Sequence, residues 1–133
     1  MEKIKIIKIS HLDHLVLTVS DIDKTVDFYT KVLGMKKEIF KGSRVALKFG
    51  NQKINLHKLG AEFEPKAFNV KDGSADLCFT INTPLNEAKN YIESMGIKIE
   101  EGIVSRTGAR GEIESVYLRD PDKNLIELSN YKN

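Results

Sequence analysis

Apolar residues alternate with smaller or polar ones in LVLTV (15–19) and again in LCFTI (77–81), and each run gives way at once to helical spacing. In the first case Ile22, Val26, Tyr29, Val32 and Leu33 recur on one helix face, the 3.6-residue period of an amphipathic helix. Ser20 or Asp21 can cap its start, and Gly34 suits the position just after its end. In the second, Leu85, Ala88, Tyr91, Ile92 and Met95 make the stripe, with Thr83 as cap, Pro84 at the first helical position and Gly96 as stop. Shorter β-patterned runs follow each helix: MKKEIF, RVALKFG and QKINLHKL, then IKIEE, EIESVYLRD and NLIELSNY. Lys41-Gly42-Ser43, Gly50-Asn51 and Asp120-Pro121-Asp122 supply turns between them.

The two halves are copies. Shifted by 62 residues, 13–35 lies on 75–97 without a gap, pairing Leu15 with Leu77, Thr18 with Thr80, Tyr29 with Tyr91 and Gly34 with Gly96. Matching caps and stops carry more weight than the identities alone, because an internal repeat decides the architecture. The expected fold is α+β: two βαβββ modules (10–60 and 74–131) in one domain over 1–133, their mixed sheets cupped together with the helices outside. Residues 60–74 and 103–111 are expected as irregular connectors, the first ten residues as a possible leading strand.

Strand parity sorts the side chains. Leu15, Leu17 and Val19 share one face, as do Leu77, Phe79 and Ile81, and these belong under the helices. The other faces carry His14, Val16, Thr18 and Asp76, Cys78, Thr80, a polar mixture suited to a cavity wall. A pseudo-two-fold axis relating the modules would bring His14 near Asp76. Aligning the last strands by 70 residues sets Leu56 on Ile126 and His57 on Glu127. Four symmetric positions then hold His14, His57, Asp76 and Glu127, two imidazoles and two carboxylates whose charges balance a divalent first-row ion. Asp76 could instead hold a ligand histidine in place. His11 falls on the opposite face and is not expected to be a ligand. Arg106 and Arg110, flanking RTGARG, are candidates to clamp an anionic substrate from a mobile loop. Cys78 reads as a small cavity-wall filler.

Composition narrows the class without choosing a function. The 133 residues are 41% hydrophobic and 30% charged with a net charge of +2, too small a surplus to imply nucleic acid. MEKIKIIKIS has neither the apolar run of a signal peptide nor that of a membrane span. The single Cys78 excludes an intrachain disulfide and fits a reducing compartment, so a cytoplasmic protein is expected.

DHLVLTVSDIDKTVDFYTKVLGM and YLRDPDKNLIELSNY resemble the opening strand–helix and the closing hairpin of the vicinal-oxygen-chelate superfamily, which includes glyoxalase I, extradiol dioxygenases, and fosfomycin- and bleomycin-resistance proteins. The resemblance runs over about residues 10–131 and implies metal positions at His14, His57, Asp76 and Glu127. Here the pattern departs: glyoxalase I places a carboxylate where His57 stands and a histidine where Asp76 stands. The implied cofactor is a divalent ion (Ni, Zn, Mn or Fe(II)), and the implied chemistry is glyoxalase-type, with Glu127 moving a proton on a small α-hydroxycarbonyl or hemithioacetal substrate. Ring-cleaving dioxygenation and drug sequestration without chemistry remain the alternatives. A homodimer is expected, and modules exchanged between chains would mix residues from two subunits in each site.

Overall fold

The computed structural model describes residues 6–132. The order is β1 (His14–Val19), α1 (Ile22–Lys31), β2 (Lys36–Phe40), β3 (Arg44–Phe49), β4 (Gln52–Lys58), β5 (Asp76–Thr80), α2 (Leu85–Ser94), β6 (Glu101–Gly108), β7 (Gly111–Arg119) and β8 (Leu125–Tyr131). The strands form two four-stranded mixed sheets, β1-β4-β3-β2 and β5-β8-β7-β6. In each, the first strand runs parallel to the last, so β1 and β5 are both edge strands, and the remaining pairs are antiparallel. The βαβββ repeat is therefore realised twice. Residues 6–13 form no strand, and the rest of the expected leading strand lies outside the described residues. No helix among the described residues is long and apolar enough to cross a membrane.

Side chains from both modules enter one apolar core. Leu17, Val19, Tyr29, Leu47, Ile54 and Leu56 from the first join Leu85, Ile92, Val116, Leu118, Ile126 and Leu128 from the second. The parity reading of β1 holds: Leu17 and Val19 are buried while His14 and Val16 are exposed. Polar contacts then lock the modules together. Tyr29, fully buried on α1, donates its hydroxyl to Asp120 Oδ2 at 2.7 Å. Asp120 also accepts the backbone N–H groups of Asp122 and Asn124 and the Asn124 amide. The Ser20 backbone and hydroxyl both donate to the Asp122 carboxylate, and Tyr91 donates to the carbonyl of Lys31. The Asp-Pro-Asp turn thus closes a hairpin and clasps the other module. Burial and the neighbouring Asp120 charge push the Tyr29 hydroxyl's pKa far above its ordinary value.

Of the two caps expected for α1, Asp21 is the one used, accepting from the Lys24 N–H at 2.9 Å. Other expectations need correction. At α2, Pro84 rather than Thr83 occupies the cap position, and Asn130 accepts the Leu85 N–H from the neighbouring strand. The largest difference lies in the second module, where IKIEE supplies only the first residue of a strand and the expected loop 103–111 is mostly β6. Its glycines misled the reading. Gly108 and Gly111 face each other as the pair closing a two-residue hairpin turn, Ala109-Arg110, so they flank a turn rather than soften a loop. Gly102 marks a bulge. A Cβ there would sit 2.7 Å from the Ser115 carbonyl oxygen.

The Tyr29–Asp120 bond makes a prediction. Tyr29→Phe keeps the ring packing and leaves Asp120 one donor short, at a cost of about 1–3 kcal/mol for a buried group that loses its partner. Urea unfolding followed by circular dichroism should show a lower midpoint with an unchanged slope.

Candidate functional site

Residues opposite each other in a strand pair share a face, so the register locates the polar residues rung by rung. In the second module Glu127 on β8 lies between Cys78 on β5 and Tyr117 on β7, and Ser129 lies between Thr80 and Ser115. In the first, Asn55 on β4 lies between Val16 and Ala46, and His57 is opposite Thr18. Cys78 is the repeat partner of Val16, so the counterpart of Glu127 is Asn55, an offset of 72. The expected equivalence of His57 with Glu127 is corrected by this register. A two-residue slip preserves the face and moves His57 one rung along, onto the place of Ser129. The extra length of the second module is in its hairpin, whose strands have 8 and 9 residues against 5 and 6 in the first.

The second module's face is a connected network. The buried Ser115 hydroxyl donates to Glu127 Oε2 at 2.6 Å and stands 2.7 Å from Ser129 Oγ, which in turn lies 3.3 Å from Cys78 Sγ. One carboxylate oxygen of Glu127 is thereby anchored by buried hydroxyls. Arg106 Nε donates to the Tyr117 hydroxyl at 2.9 Å, and its Nη2 reaches Glu101 at 3.3 Å. Burial pushes the Cys78 thiol pKa up; Ser129 opposes that shift and the Glu127 charge adds to it. The thiol is thus disfavoured as a nucleophile.

The first module's face is differently built. His14 Nδ1 is held by the Asp13 carboxylate at 2.8 Å, leaving Nε2 free, and this bond lowers the Asp13 pKa. A histidine oriented by a carboxylate is the arrangement of many metal-ligating imidazoles. Asn55 Oδ1 and His57 Nδ1 are buried without a hydrogen-bond partner among the described residues. Phe63, from the connector, packs edge-on against His57, and the Arg44 guanidinium lies 3.9 Å over the Phe63 ring. Burial lowers the His57 pKa, with Arg44 and Lys66 adding to the effect and Glu62 opposing it. A cavity of about 380 Å³ opens beside it, lined by Val16, Thr18 and His57 and by Pro65, Lys66, Ala67 and Val70 of the connector. A groove of about 1150 Å³ follows the free edge of β5 and reaches Cys78, Glu127 and Tyr131.

The expected ligands are thus divided. Asp76 and Glu127 share the second module's face, and His14 and His57 share the first's. Among the described residues no three His, Cys, Asp or Glu side chains stand close enough to hold one metal ion. His14 and Asp76 are exposed on the two edge strands. Arg106 lies in strand β6 rather than in a loop and donates to Tyr117, while Arg110 sits in the hairpin turn with its guanidinium 4.1 Å over the Tyr131 ring. His11 is exposed ahead of β1, beside Ser10. Sequence reasoning missed Asp13, Asn55, Arg44, Ser115 and Ser129. The pattern of polar residues at even spacing on β-runs marked all but Asp13, which lies outside any strand.

Comparison with known proteins gives the family. A virulence protein of Salmonella typhimurium, STM3117, is 58% identical over 92% of this chain and 85% of its own length. The glyoxalase domain-containing protein RDO1 of Mycosarcoma maydis is 54% identical over 95% of this chain and 71% of its own. Among solved structures, an integron cassette protein of Vibrio cholerae, 62% identical, superposes with a TM-score of 0.94 over 96% of this chain and all of that one. Residues 11–128 match the family description directly, and the chain belongs to the Glyoxalase/Bleomycin resistance protein/Dioxygenase superfamily.

Proposed function

We propose that the protein is a metal-dependent enzyme of glyoxalase type, whose site forms between two copies of the chain: the first module's face of one against the second module's face of the other. The observation that carries this reading is the arrangement around Glu127, with Ser115 donating to one carboxylate oxygen and the other left to a ligand. A carboxylate held through one oxygen keeps its position while its other oxygen can reach a substrate proton.

The donor set fits a divalent ion. Asp76 and Glu127 lie diagonally across β5 and β8, and His14 and Asn55 stand in the same relation on β1 and β4. Oxygen and imidazole donors of this kind suit Ni, Zn, Mn or Fe(II). The orphaned Asn55 Oδ1 is an acceptor waiting for a cation or a donor. Bound there, the ion would polarise two neighbouring oxygens of a small hydroxycarbonyl or hemithioacetal substrate. His14, turned by Asp13, and Asp76 would hold it. Glu127 would take a proton from one carbon and return it to the next, with Tyr117, backed by Arg106, within reach of the developing negative oxygen.

Charge favours the pairing of copies. The first module's face carries Lys36, Arg44, Lys48 and Lys53 against one carboxylate, Glu38, besides its histidines, and the second's carries Asp76, Glu101 and Glu127 against Arg106 and Arg119. Opposed faces of opposite sign attract, and each half-site is too poor in donors to hold an ion alone.

Titration calorimetry with Mn(II), Zn(II) and Ni(II) should show one ion per chain, with His14→Ala and Glu127→Gln each binding at least about tenfold more weakly, as loss of a metal ligand demands. Ion binding unaffected by both substitutions would sink the reading. In the metal-loaded protein, hemithioacetal isomerisation should exceed oxygen uptake with catechols; the reverse would transfer the protein to the ring-cleaving dioxygenases.

Mixing chains tests the shared site. Once subunits of His14→Ala and Glu127→Ala have exchanged, each mixed dimer carries one intact site and one doubly broken one. About a quarter of the wild-type ion content should return if half the dimers are mixed, as random pairing in a two-fold dimer gives. Sites built within single chains would return none.

A further inference from the structure

The two modules place different chemistry on the same rung. In the second, Thr80, Ser129 and Ser115 stand across three strands, and the serines satisfy each other and Glu127. In the first, the corresponding places hold Thr18 and His57, with Arg44 one step beyond the Val45–Leu56 pair. Among the described residues Thr18, His57 and Arg44 make no side-chain hydrogen bond, and Arg44 has no carboxylate within ion-pair distance. His57 is 7% exposed and Arg44 half-buried. The His57 Nδ1 is thus a buried polar atom left unsatisfied, and the Arg44 guanidinium rests 3.9 Å over the Phe63 ring without a hydrogen-bond acceptor among the described residues. Beside them the Asn55 oxygen is orphaned as well.

We infer that this rung, together with the cavity of about 380 Å³ under residues 63–70, is the subsite for the carboxylate end of a small oxygenated acid, and that His57 serves substrate rather than metal. The inference rests on the proposed function and names its substrate class. The Thr18 hydroxyl and the His57 imidazole line the cavity, and the Arg44 guanidinium lies next to them over the Phe63 ring that packs on His57; these are donors of the kind that a carboxylate accepts. The charged groups facing His57 are Arg44, Lys66 and Glu62, a net surplus of one positive charge. Glu62 is already committed to Lys66 and to the Gly60 N–H, so the N–H groups of Arg44, whose guanidinium rests on Phe63, have no carboxylate acceptor among the described residues. Val16, Pro65, Ala67 and Val70 supply an apolar wall for a short carbon chain. The cavity is at the small end of the usual range of ligand pockets. Its position one rung from Asn55 lets an acid held here extend its next oxygens toward the proposed ion.

The test compares 2-hydroxybutyrate with 1,2-butanediol, which lacks the carboxylate, by calorimetry on Mn(II)-loaded protein. The metal content of every variant is measured by mass spectrometry and its folding by thermal melting. The acid should bind at least about tenfold more tightly than the diol, and Arg44→Met and His57→Gln should each remove most of that difference while retaining the ion. If Arg44→Met does not fold, Arg44→Lys, which keeps the charge and loses the fork, should weaken the acid partway. Equal binding of acid and diol overturns the inference. So does an Arg44 variant that keeps full acid affinity, or a His57→Gln protein that loses its ion as His14→Ala does. An unaltered ion content in His14→Ala, with acid binding still dependent on Arg44, would instead remove the metal reading and leave this subsite standing.

Discussion

Everything in this molecule is referred to one constraint, the parallel pairing of the first and last strands of each module. β1 finds β4 and β5 finds β8, and that pairing fixes which residue stands opposite which. It also leaves β1 and β5 as free edges. Parallel strands need a crossover to connect them. Here the crossover contains a helix and two strands, so the helix covers one face of the sheet and leaves the other bare. The bare faces are where the unexplained polar residues collect. The fold thus separates two tasks by face, one packing into a core shared by the modules and the other left for ligands or a second chain.

The repeat, the modules, the core face of β1 and the position of His14 were legible in the sequence, because a period of two and a period of 3.6 survive in the pattern of side chains. The rung of His57 was not. INLHKLG and NLIELSN align well at an offset of 70, but hydrophobic matching cannot separate a register from its neighbour two residues away, since both keep every side chain on the same face. Only the pairing with β1 decides, and it chooses Asn55 as the counterpart of Glu127. The misread 103–111 segment has a related cause. Glycines that close a hairpin and permit a bulge look in one dimension like a flexible loop, and Arg106 acquired a role as clamp that its strand position and its bond to Tyr117 do not leave free. The candidate site was therefore half visible: its ingredients showed, and its geometry did not.

Comparison of the two faces explains how a symmetric scaffold supports an asymmetric site. The second module satisfies its polar groups internally through Ser115 and Ser129, giving Glu127 a fixed carboxylate oxygen. The first, among the described residues, leaves the Asn55 oxygen and the His57 ring nitrogen unsatisfied. Preorganisation and hunger for a ligand are opposite ways of using a polar wall, and a site between the modules needs both: one side that holds a base still and one side that gains by being filled.

The connector between the modules, residues 60–74, breaks the symmetry of the repeat. It joins the two copies, yet it does not merely span them, since Phe63, Pro65 and Val70 fold back over the first module's polar face. The connector therefore roofs one face and, among the described residues, has no counterpart over the other. A scaffold whose halves repeat in sequence is made unequal at its ends by the one segment that belongs to neither copy.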